Sequence, residues 1–452
     1  MKKQLQNEFQ DKDFFELLHK GGVSFLMRIG GQIIGFFVTL LIAHHFGAKG
    51  LGEYMLAVLI LRIFSLFAKL GLDTVAIRFF SAYAKQKKWK SLMNLKTKLT
   101  ITLLITSFFA SISMYYLSGF IAELFGINYK FIRFFSFLIV PMVFFIFHYS
   151  GLRGLKEITA YTFFYRISHA LFTIISIIIL LQFNNFSEIP FYAFAIGLII
   201  ASILSFITLR RYLIVKTYQN LEEVIERKTL KSILIIALPL MFAQSVQLII
   251  SWTDKLMLGA LDSPAIVQGT LSSAEQVGIY GVAFKLSMFA SIALMSINSI
   301  ASPKFSEMYA ENNFEGLKKI TKESSKLIFW FTIPLVIFFF LFPSFFLGIF
   351  GKEFIIGANA FVILSIGMLV SALSGSVGNL LQMTGNHVAF MNILFIGAIM
   401  NIVLNYFLIP LYGLTGAAVA STFSIIIWNL GMVLVVKRRF GFLTFYNPFN
   451  RE

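Results

Sequence analysis

Ionisable side chains inside an otherwise apolar stretch are the first feature of this sequence that could do chemistry. Residues 52–80 are apolar enough to cross a bilayer, yet they contain Arg62, Lys69 and Asp73. On one continuous helix, which turns about 100° per residue, these three side chains would share a face, and Lys69 and Asp73 would be close enough to pair. Charges at membrane depth are costly and normally face a bundle interior or a wet cavity. The pattern therefore predicts a helix that lines a hydrophilic pathway.

Other apolar segments carry further cations, namely Lys285, Arg166 and Lys255. Arginine makes forked contacts with phosphate, and lysine acts as a compact point charge, so both suit an anionic ligand. We expect Arg62 and Lys285 to be the main cations of the pathway, because neither has an acidic residue within one helical turn. Lys69 could instead simply be neutralised by Asp73.

Three residues could couple transport to an ion or could only balance nearby charge, and the sequence leaves both interpretations open: Asp73, Asp254 and His44. Histidine titrates close to physiological pH, so His44 could respond to proton supply. The sequence predicts no cofactor, and it does not distinguish coupling to protons, coupling to sodium ions and passive transport.

The motifs that enzyme chemistry needs are missing. The chain has no cysteine, which excludes disulfides and thiolate sites, and its six histidines do not have metal-ligand spacing. It also lacks the glycine-rich loop that binds the phosphates of ATP. We therefore expect neither an enzyme nor an ATP-driven exporter.

Composition indicates how these residues are positioned. The 452 residues are 58% hydrophobic and 13% charged, whereas about a quarter of the residues in soluble domains are charged. Apolar runs of about 20 residues recur along the chain, which is typical of an all-α polytopic membrane protein. The sequence predicts twelve spans, at approximately 23–46, 52–80, 99–118, 131–149, 159–181, 189–208, 232–256, 277–301, 327–347, 355–380, 389–409 and 414–436.

The spans fall into two groups of six. The sequence predicts an N-terminal lobe over 23–209 and a C-terminal lobe over 232–436. Polar segments flank and join the two lobes, and we expect them to be cytoplasmic: an N-terminal segment over 1–22, a linker over 210–231 and a tail over 437–452.

Positive charge predicts the orientation. With both termini in the cytoplasm, most of the 38 lysines and arginines fall on the inner side, and only Lys49, Lys130, Arg133 and Lys352 fall outside. Positive charge is retained on the cytoplasmic side of membranes, so this bias predicts an N-in, C-in topology. It also explains the net charge of +17 as juxtamembrane anchoring to anionic lipids rather than nucleic-acid binding.

The chain also repeats itself at half its length. A shift by half the chain places Gly52-x-Tyr54-x-x-Ala57 on Gly278-x-Tyr280-x-x-Ala283. Lys285 then aligns with Leu59, one turn from the depth of Arg62. Upstream, the register needs an insertion around 260–269, which we interpret as a longer outer loop. A duplication with six spans in each copy predicts two lobes related by a pseudo-twofold axis along the membrane normal.

Several short motifs resemble those of the bacterial polysaccharide (oligosaccharide) flippases, which belong to the multidrug/oligosaccharidyl-lipid/polysaccharide exporter superfamily. They are Leu41-Ile-Ala-His-His-Phe-Gly47, Trp252-Thr-Asp-Lys-Leu-Met-Leu-Gly259, Gly378-Asn-Leu-Leu-Gln-Met-Thr-Gly385 and Asn401-Ile-Val-Leu-Asn405 followed by Ile409-Pro-Leu-Tyr-Gly413-Leu-Thr-Gly416. Together they span essentially the whole chain.

The resemblance implies two six-helix lobes around a V-shaped, cationic central cavity that alternates between inward-open and outward-open states. It also implies the cargo, an undecaprenyl-pyrophosphate-linked oligosaccharide repeat unit for capsule, O-antigen or exopolysaccharide synthesis. The implied location is the bacterial cytoplasmic membrane, and the partners are the lipid-linked cargo, membrane lipids and a polysaccharide polymerase machinery.

Two alternatives remain at this stage. A multidrug/cation antiporter has the same fold, but its cationic cargo should favour an acidic cavity rather than the basic face around Arg62. A membrane repeat-unit polymerase is an enzyme, and the short outer loops and the duplication count against it. The sequence does not identify the glycan, the polymer pathway or the oligomeric state.

Overall fold

The computed structural model describes residues 2–183, 186–217 and 229–446, and helices are the only regular elements within these ranges. Parts of the predicted linker (218–228) and tail (447–452) lie outside the described residues. The first eight helices are α1 (Lys2–Lys69), α2 (Leu72–Lys85), α3 (Trp89–Phe125), α4 (Tyr129–Ser136), α5 (Ile139–Gly154), α6 (Ile158–Thr162), α7 (His169–Phe183) and α8 (Ile189–Thr217).

The remaining ten helices are α9 (Leu230–Ala260), α10 (Pro264–Val267), α11 (Ser273–Ser287), α12 (Ile292–Ala310), α13 (Phe314–Leu341), α14 (Pro343–Gly348), α15 (Ala358–Leu373), α16 (Val377–Met383), α17 (His387–Tyr412) and α18 (Leu414–Phe440). A π-helical turn, Phe163–Ser168, joins α6 to α7. Two 3₁₀ turns, Met288–Ser291 and Lys352–Gly357, precede α12 and α15.

The helices confirm an all-α polytopic membrane protein. In the described part of the chain, nine helical segments are long and apolar enough to cross a membrane, or ten if the bent pair α4–α5 forms one span. One of the nine, Leu26–Lys69, has 44 residues, which is about twice the length that a bilayer core requires. The count of twelve spans stays a prediction.

Helix α1 is interrupted at Gly47, where the sequence predicts the first span to end. Gly47 has φ 67° and ψ −174°, which are not helical values, and its positive φ favours glycine. The helix resumes at Ala48, whose backbone N–H donates to Oε1 of Glu353 at 2.7 Å. The free N–H groups of a helix start are normally capped by a nearby side chain. Here the cap comes from a glutamate 305 residues away.

The prediction of one helix over 52–80 is wrong. Helix α1 ends at Lys69, Leu70 and Gly71 have φ of 49° and 75°, and α2 begins at Leu72. A β-carbon on Gly71 would overlap the carbonyl oxygen of Ala237 in α9. The break therefore combines left-handed backbone with a close helix approach, which only glycine accommodates without strain. Arg62 and Lys69 consequently lie on α1, whereas Asp73 lies in the first turn of α2.

The described chain forms two compact units. The first comprises the described residues within 1–45, 57–123 and 127–245, and the second comprises those within 46–56, 124–126 and 246–452. Stacked phenylalanines lie in the core of the first unit, with ring centres 3.8 Å apart for Phe131 and Phe191. The second unit has a core cluster that includes Phe305, Leu380 and Val436. The predicted lobe boundaries, 23–209 and 232–436, stay a prediction.

Two glycines of the predicted repeat meet inside the second unit. A β-carbon on Gly52 would overlap the carbonyl oxygen of Ala274, and one on Gly278 would overlap that of Ala48. Gly52 and Gly278 are separated by half the chain length, as are Ala48 and Ala274. This reciprocal packing is the arrangement expected of two copies related by a pseudo-twofold axis.

Candidate functional site

A polar cluster surrounds the break between α1 and α2 in the first unit. Nζ of Lys69 lies 2.8 Å from Oδ2 of Asp73, and both side chains are about 10% exposed. Lys69 also donates to Oε1 of Gln244 in α9. The other end of that amide, Nε2, lies 2.6 Å from Oγ1 of Thr74 and 3.4 Å from Oδ2 of Asp73. The predicted Lys69–Asp73 pair thus forms across the break, and Gln244 ties it to α9.

Arg62 is exposed on α1, almost two turns before this break. Its charge lies within electrostatic range of Tyr149 in α5 and His169 in α7. His169 itself is occupied by structural contacts, because its ring meets the Phe194 ring edge-on with centres 4.5 Å apart. Its Nε2 also lies 3.4 Å from the Phe194 carbonyl oxygen. Arg62, rather than His169, is therefore the group available to a ligand.

Arg166 lies in the π-helical turn Phe163–Ser168. Such turns are rare, and they occur frequently at functional sites because they widen the helix and redirect its side chains. Helix α1 packs directly on this turn, since a β-carbon on Gly31 would lie 2.5 Å from the Arg166 carbonyl oxygen. The guanidinium carbon of Arg166 lies 4.4 Å from the centre of the Tyr165 ring, within cation–π range.

Three tyrosines form the centre of a cationic cluster in the first unit. The rings of Tyr161 and Tyr165 stack with centres 5.4 Å apart, and Tyr149 lies 5.4 Å from Tyr165. The Arg153 guanidinium lies 5.3 Å from the Tyr161 ring centre. The arginines with charges acting on these tyrosines are Arg28, Arg62, Arg153 and Arg166. We call these seven residues the arginine–tyrosine cluster.

The sequence analysis did not single out the tyrosines, Arg28 or Arg153 as site residues. A signal was available, because Tyr161 and Tyr165 are spaced i, i+4 and Arg166 follows directly. Aromatic side chains at that spacing meet on a helix surface. Their contact with Tyr149 joins α5 to the α6–α7 segment and could not be read from local spacing.

Two predicted lysines approach each other in the second unit. The charge of Lys255 in α9 acts on Lys285 in α11, so the two lie within electrostatic range. Nζ of Lys255 lies 5.0 Å from the centre of the Phe284 ring. A β-carbon added to Gly281 would lie 3.9 Å from Cε of Lys255. The sequence did not predict this proximity, because the repeat aligns Lys285 with Leu59, one turn from the depth of Arg62.

Asp254 is buried in the second unit among uncharged donors. Its Oδ1 accepts from the side-chain amides of Asn401 and Asn405 at 2.9 and 2.8 Å. Its Oδ2 accepts from the Tyr280 hydroxyl at 2.7 Å and from the Ser421 hydroxyl. The four donors supply the hydrogen-bond partners that a buried carboxylate requires. Asn401 and Asn405 are one helical turn apart, so both amides reach the same carboxylate.

His44 is exposed near the end of the first part of α1, shortly before Gly47. The assigned roles of His44, Asp73 and Asp254 stay predictions, as do those of the five cations. Among the described residues, no group of three or more His, Cys, Asp or Glu side chains could hold a metal ion.

The long apolar helices define a multi-pass membrane protein. Residues 17–309, more than half of the chain, match the model of the polysaccharide biosynthesis protein family, and the chain belongs to this family. Residues 263–407 also match the MatE family model. These family matches indicate a transporter of the multidrug/oligosaccharidyl-lipid/polysaccharide exporter superfamily rather than an enzyme.

Individual proteins show more limited similarity. The capsular polysaccharide biosynthesis protein CapF of Staphylococcus aureus is 25% identical over 278 residues, which are 61% of this chain and 67% of CapF. The probable low-salt glycan biosynthesis flippase Agl15 of Haloferax volcanii is 24% identical over 157 residues, 34% of this chain and 33% of Agl15. The chain spans only about a third of the length of two curated relatives that it matches.

The fold is that of a solved flippase structure. The lipid II flippase MurJ in its inward-closed conformation matches with a TM-score of 0.71 over 92% of this chain and 87% of MurJ. At 17% identity, the match describes the shared fold.

Proposed function

We propose that this protein flips a lipid-linked oligosaccharide repeat unit across the cytoplasmic membrane by alternating access, for polysaccharide biosynthesis. The arginine–tyrosine cluster is the observation that carries the proposal. An undecaprenyl-pyrophosphate-linked sugar chain presents an anionic diphosphate beside sugar rings. Guanidinium groups bind phosphate in a forked geometry, and tyrosine rings provide apolar faces with polar edges for the sugars. Four arginines and three tyrosines supply both within the first unit.

The lysine pair of the second unit provides another anion-binding element. Lys255 and Lys285 lie within electrostatic range of each other, so an anion that binds near both relieves their repulsion. Arg62 and Lys285 remain the main cations of the proposal, with Arg166, Lys255 and Lys69 in supporting roles. Because Lys69 is already paired with Asp73, it contributes less net charge to a ligand.

Asp254 is the group that we assign to ion coupling. Its carboxylate could be protonated, or it could hold a sodium ion together with side-chain oxygens of Asn401, Asn405 and Ser421. The donor set suits a small monovalent cation, because hard cations prefer oxygen ligands. Oδ1 of Asn405 is buried and lacks a hydrogen-bond partner among the described residues, so it has lone pairs to offer. Asp73 and His44 are the lesser candidates.

A multidrug/cation antiporter is the second candidate function, because residues 263–407 match the MatE model. An organic cation would bind an acidic site. The four arginines of the arginine–tyrosine cluster repel such a cargo.

Export of lipid-linked repeat units tests the proposal. In membrane vesicles that contain Arg62→Ala with Lys285→Ala, the rate at which labelled repeat units reach the outer leaflet should fall about tenfold or more, because both anion-binding elements lose a charged donor. Lys319→Ala is the matched control, since Lys319 is an exposed lysine in α13 and should not affect the rate.

The amount of inserted protein must be equal in all variants. Export at the wild-type rate in the double variant would contradict the cation assignment. Resistance to cationic drugs conferred by the wild-type protein in a sensitised host, without glycan export, would favour the antiporter.

A further inference from the structure

We infer that the outer end of the second unit holds a preformed binding pocket for an uncharged sugar residue. The inference rests on the proposed function and on the N-in topology, which together place glycan on this side of the membrane. The pocket has a volume of about 530 Å³, within the range of about 300–1,000 Å³ that small-ligand sites occupy. Its polar and aromatic lining includes Gln268, Thr270, Gln276, Tyr412 and Thr415.

The insertion in the second repeat builds one wall of this pocket. Helix α10 and the turn after it contribute Pro264, Ala265, Gln268 and Thr270. The first repeat has no counterpart to this segment. The predicted longer loop is thus an ordered structure in contact with a pocket, rather than a simple connection.

Backbone hydrogen bonds give the wall its shape. The N–H groups of Thr270 and Leu271 both donate to the carbonyl oxygen of Ala265, at 2.9 and 3.2 Å. The Thr270 hydroxyl donates to the same oxygen at 3.1 Å. Three donors on one acceptor close the loop tightly. A wall that is ordered in advance does not have to be immobilised when a ligand binds, which lowers the entropic cost of binding.

The floor of the pocket is equally constrained. Gln276 is fully buried in α11, and its Nε2 lies 2.8 Å from the buried hydroxyl of Ser263. The turn between α17 and α18 rests on this amide, because a β-carbon on Gly413 would lie 3.0 Å from Oε1 of Gln276. Gly413 also has a φ of 57°, which favours glycine. Tyr412 and Thr415, on either side of this turn, are therefore held at the pocket.

The lining indicates the class of ligand. Among the described residues that line the pocket, none is charged, although the chain carries 38 lysines and arginines. A diphosphate or an acidic sugar would find no counter-charge there. Amide and hydroxyl groups can instead exchange hydrogen bonds with sugar hydroxyls. The Tyr412 side chain, 63% exposed, offers an aromatic face on which the apolar face of a sugar ring can pack.

Because the arginine–tyrosine cluster is cationic and the pocket lining is uncharged, the two sites bind different parts of the cargo. The anionic part of the cargo interacts with the arginine–tyrosine cluster, whereas the uncharged pocket takes a neutral sugar of the glycan on the outer side. Such a pocket would hold the emerging glycan and oppose its return.

Binding of neutral oligosaccharides tests the inference. The purified full chain in detergent is applied to an array of hexose and N-acetylhexosamine oligosaccharides, together with acidic ones. We expect the wild-type protein to bind neutral members. Tyr412→Ala should weaken this binding about 2- to 10-fold, the range for loss of one aromatic contact, and Gln268→Ala should weaken it as well. Tyr406→Ala is the matched control, since Tyr406 lies on the same helix with 59% exposure but does not line the pocket.

Binding that is absent, restricted to acidic glycans or unchanged in Tyr412→Ala and Gln268→Ala would overturn the inference. Export of repeat units tests the proposed function separately. The Arg62→Ala/Lys285→Ala variant should retain neutral-glycan binding while it loses export. If the wild-type protein binds neutral glycans but exports none, the transport proposal fails and the pocket assignment stands.

Discussion

Gly278 lies so close to Gly52 that a β-carbon on Gly278 would be only 3.1 Å from the backbone nitrogen of Gly52. The two residues occupy equivalent positions in the two sequence repeats, separated by half the chain length. Small residues allow membrane helices to approach until their backbones touch. The duplicated glycine is therefore the residue through which the two copies of this helix segment pack.

Replacing one of these glycines should separate the helices. In Gly52→Ala the new methyl group overlaps the Ala274 carbonyl oxygen, so we expect a loss of about 1–3 kcal/mol in the free energy of unfolding. Thermal unfolding in detergent measures it. Gly35→Ala is the control, because an added β-carbon there meets nothing within 4 Å, and helical Gly→Ala changes usually stabilise by about 0.5–1 kcal/mol. Equal melting temperatures for the two variants would contradict the packing role.

Breaking the Lys69–Asp73 pair should lower the free energy of unfolding, although the pair lies at a helix break. Lys69→Met leaves the Asp73 carboxylate, about 10% exposed, without its cation. Breaking a buried pair in this way typically costs about 3–5 kcal/mol. The double variant Lys69→Met/Asp73→Asn should recover part of the loss, since no unpaired charge remains.

Thermal unfolding measures the stability of the single and double variants. Lys130→Met, at an exposed position in α4, serves as the control and should unfold like the wild-type protein. A double variant that is less stable than Lys69→Met would show that the pair does not act as a unit.

Asp254→Asn should remove ion dependence from transport. The substitution replaces one acceptor oxygen by an N–H group that faces the donors of Asn401, Asn405, Tyr280 and Ser421. We expect a loss of about 1–3 kcal/mol in stability from the unsatisfied groups and a transport rate that no longer responds to a proton or sodium gradient. Glu311→Gln, an exposed position, should keep the wild-type response. A wild-type response to the ion gradient in Asp254→Asn would contradict the assignment of ion coupling to Asp254.

The orientation can be measured directly because the sequence has no cysteine. Gln268→Cys should react with a membrane-impermeant maleimide in intact cells, since the predicted topology places the loop after α10 outside. Glu315→Cys, in the first turn of α13, should react only after the membrane is permeabilised. The reverse labelling pattern would contradict the N-in topology.

Local sequence patterns predicted much of the membrane fold. Apolar runs indicated the helices, and the i, i+4 spacing of Lys69 and Asp73 predicted their ion pair. The predicted continuous second helix was wrong at Leu70 and Gly71, where the backbone is left-handed and α9 approaches closely at Ala237. A single glycine in an apolar run does not reveal such a neighbour.

The arginine–tyrosine cluster was predictable only in part. Arg62 and Arg166 stood out as charges in apolar segments. Their tyrosine partners did not, because tyrosine is common in membrane helices and the contact between Tyr149 and Tyr165 joins separate helices. The π-helical turn around Arg166, on which Gly31 packs, had no local sequence signal.

By itself, the sequence determined that the protein crosses the membrane, where its charges occur along the chain and which residues are duplicated. These properties follow from composition and periodicity, which act over one or two helical turns. The tertiary structure decided where helices break, which charges meet and how Asp254 is satisfied. Asp254 and Asn401 lie 147 residues apart, and Glu353 caps a helix 305 residues away. Such partners meet only when packing brings distant helices together.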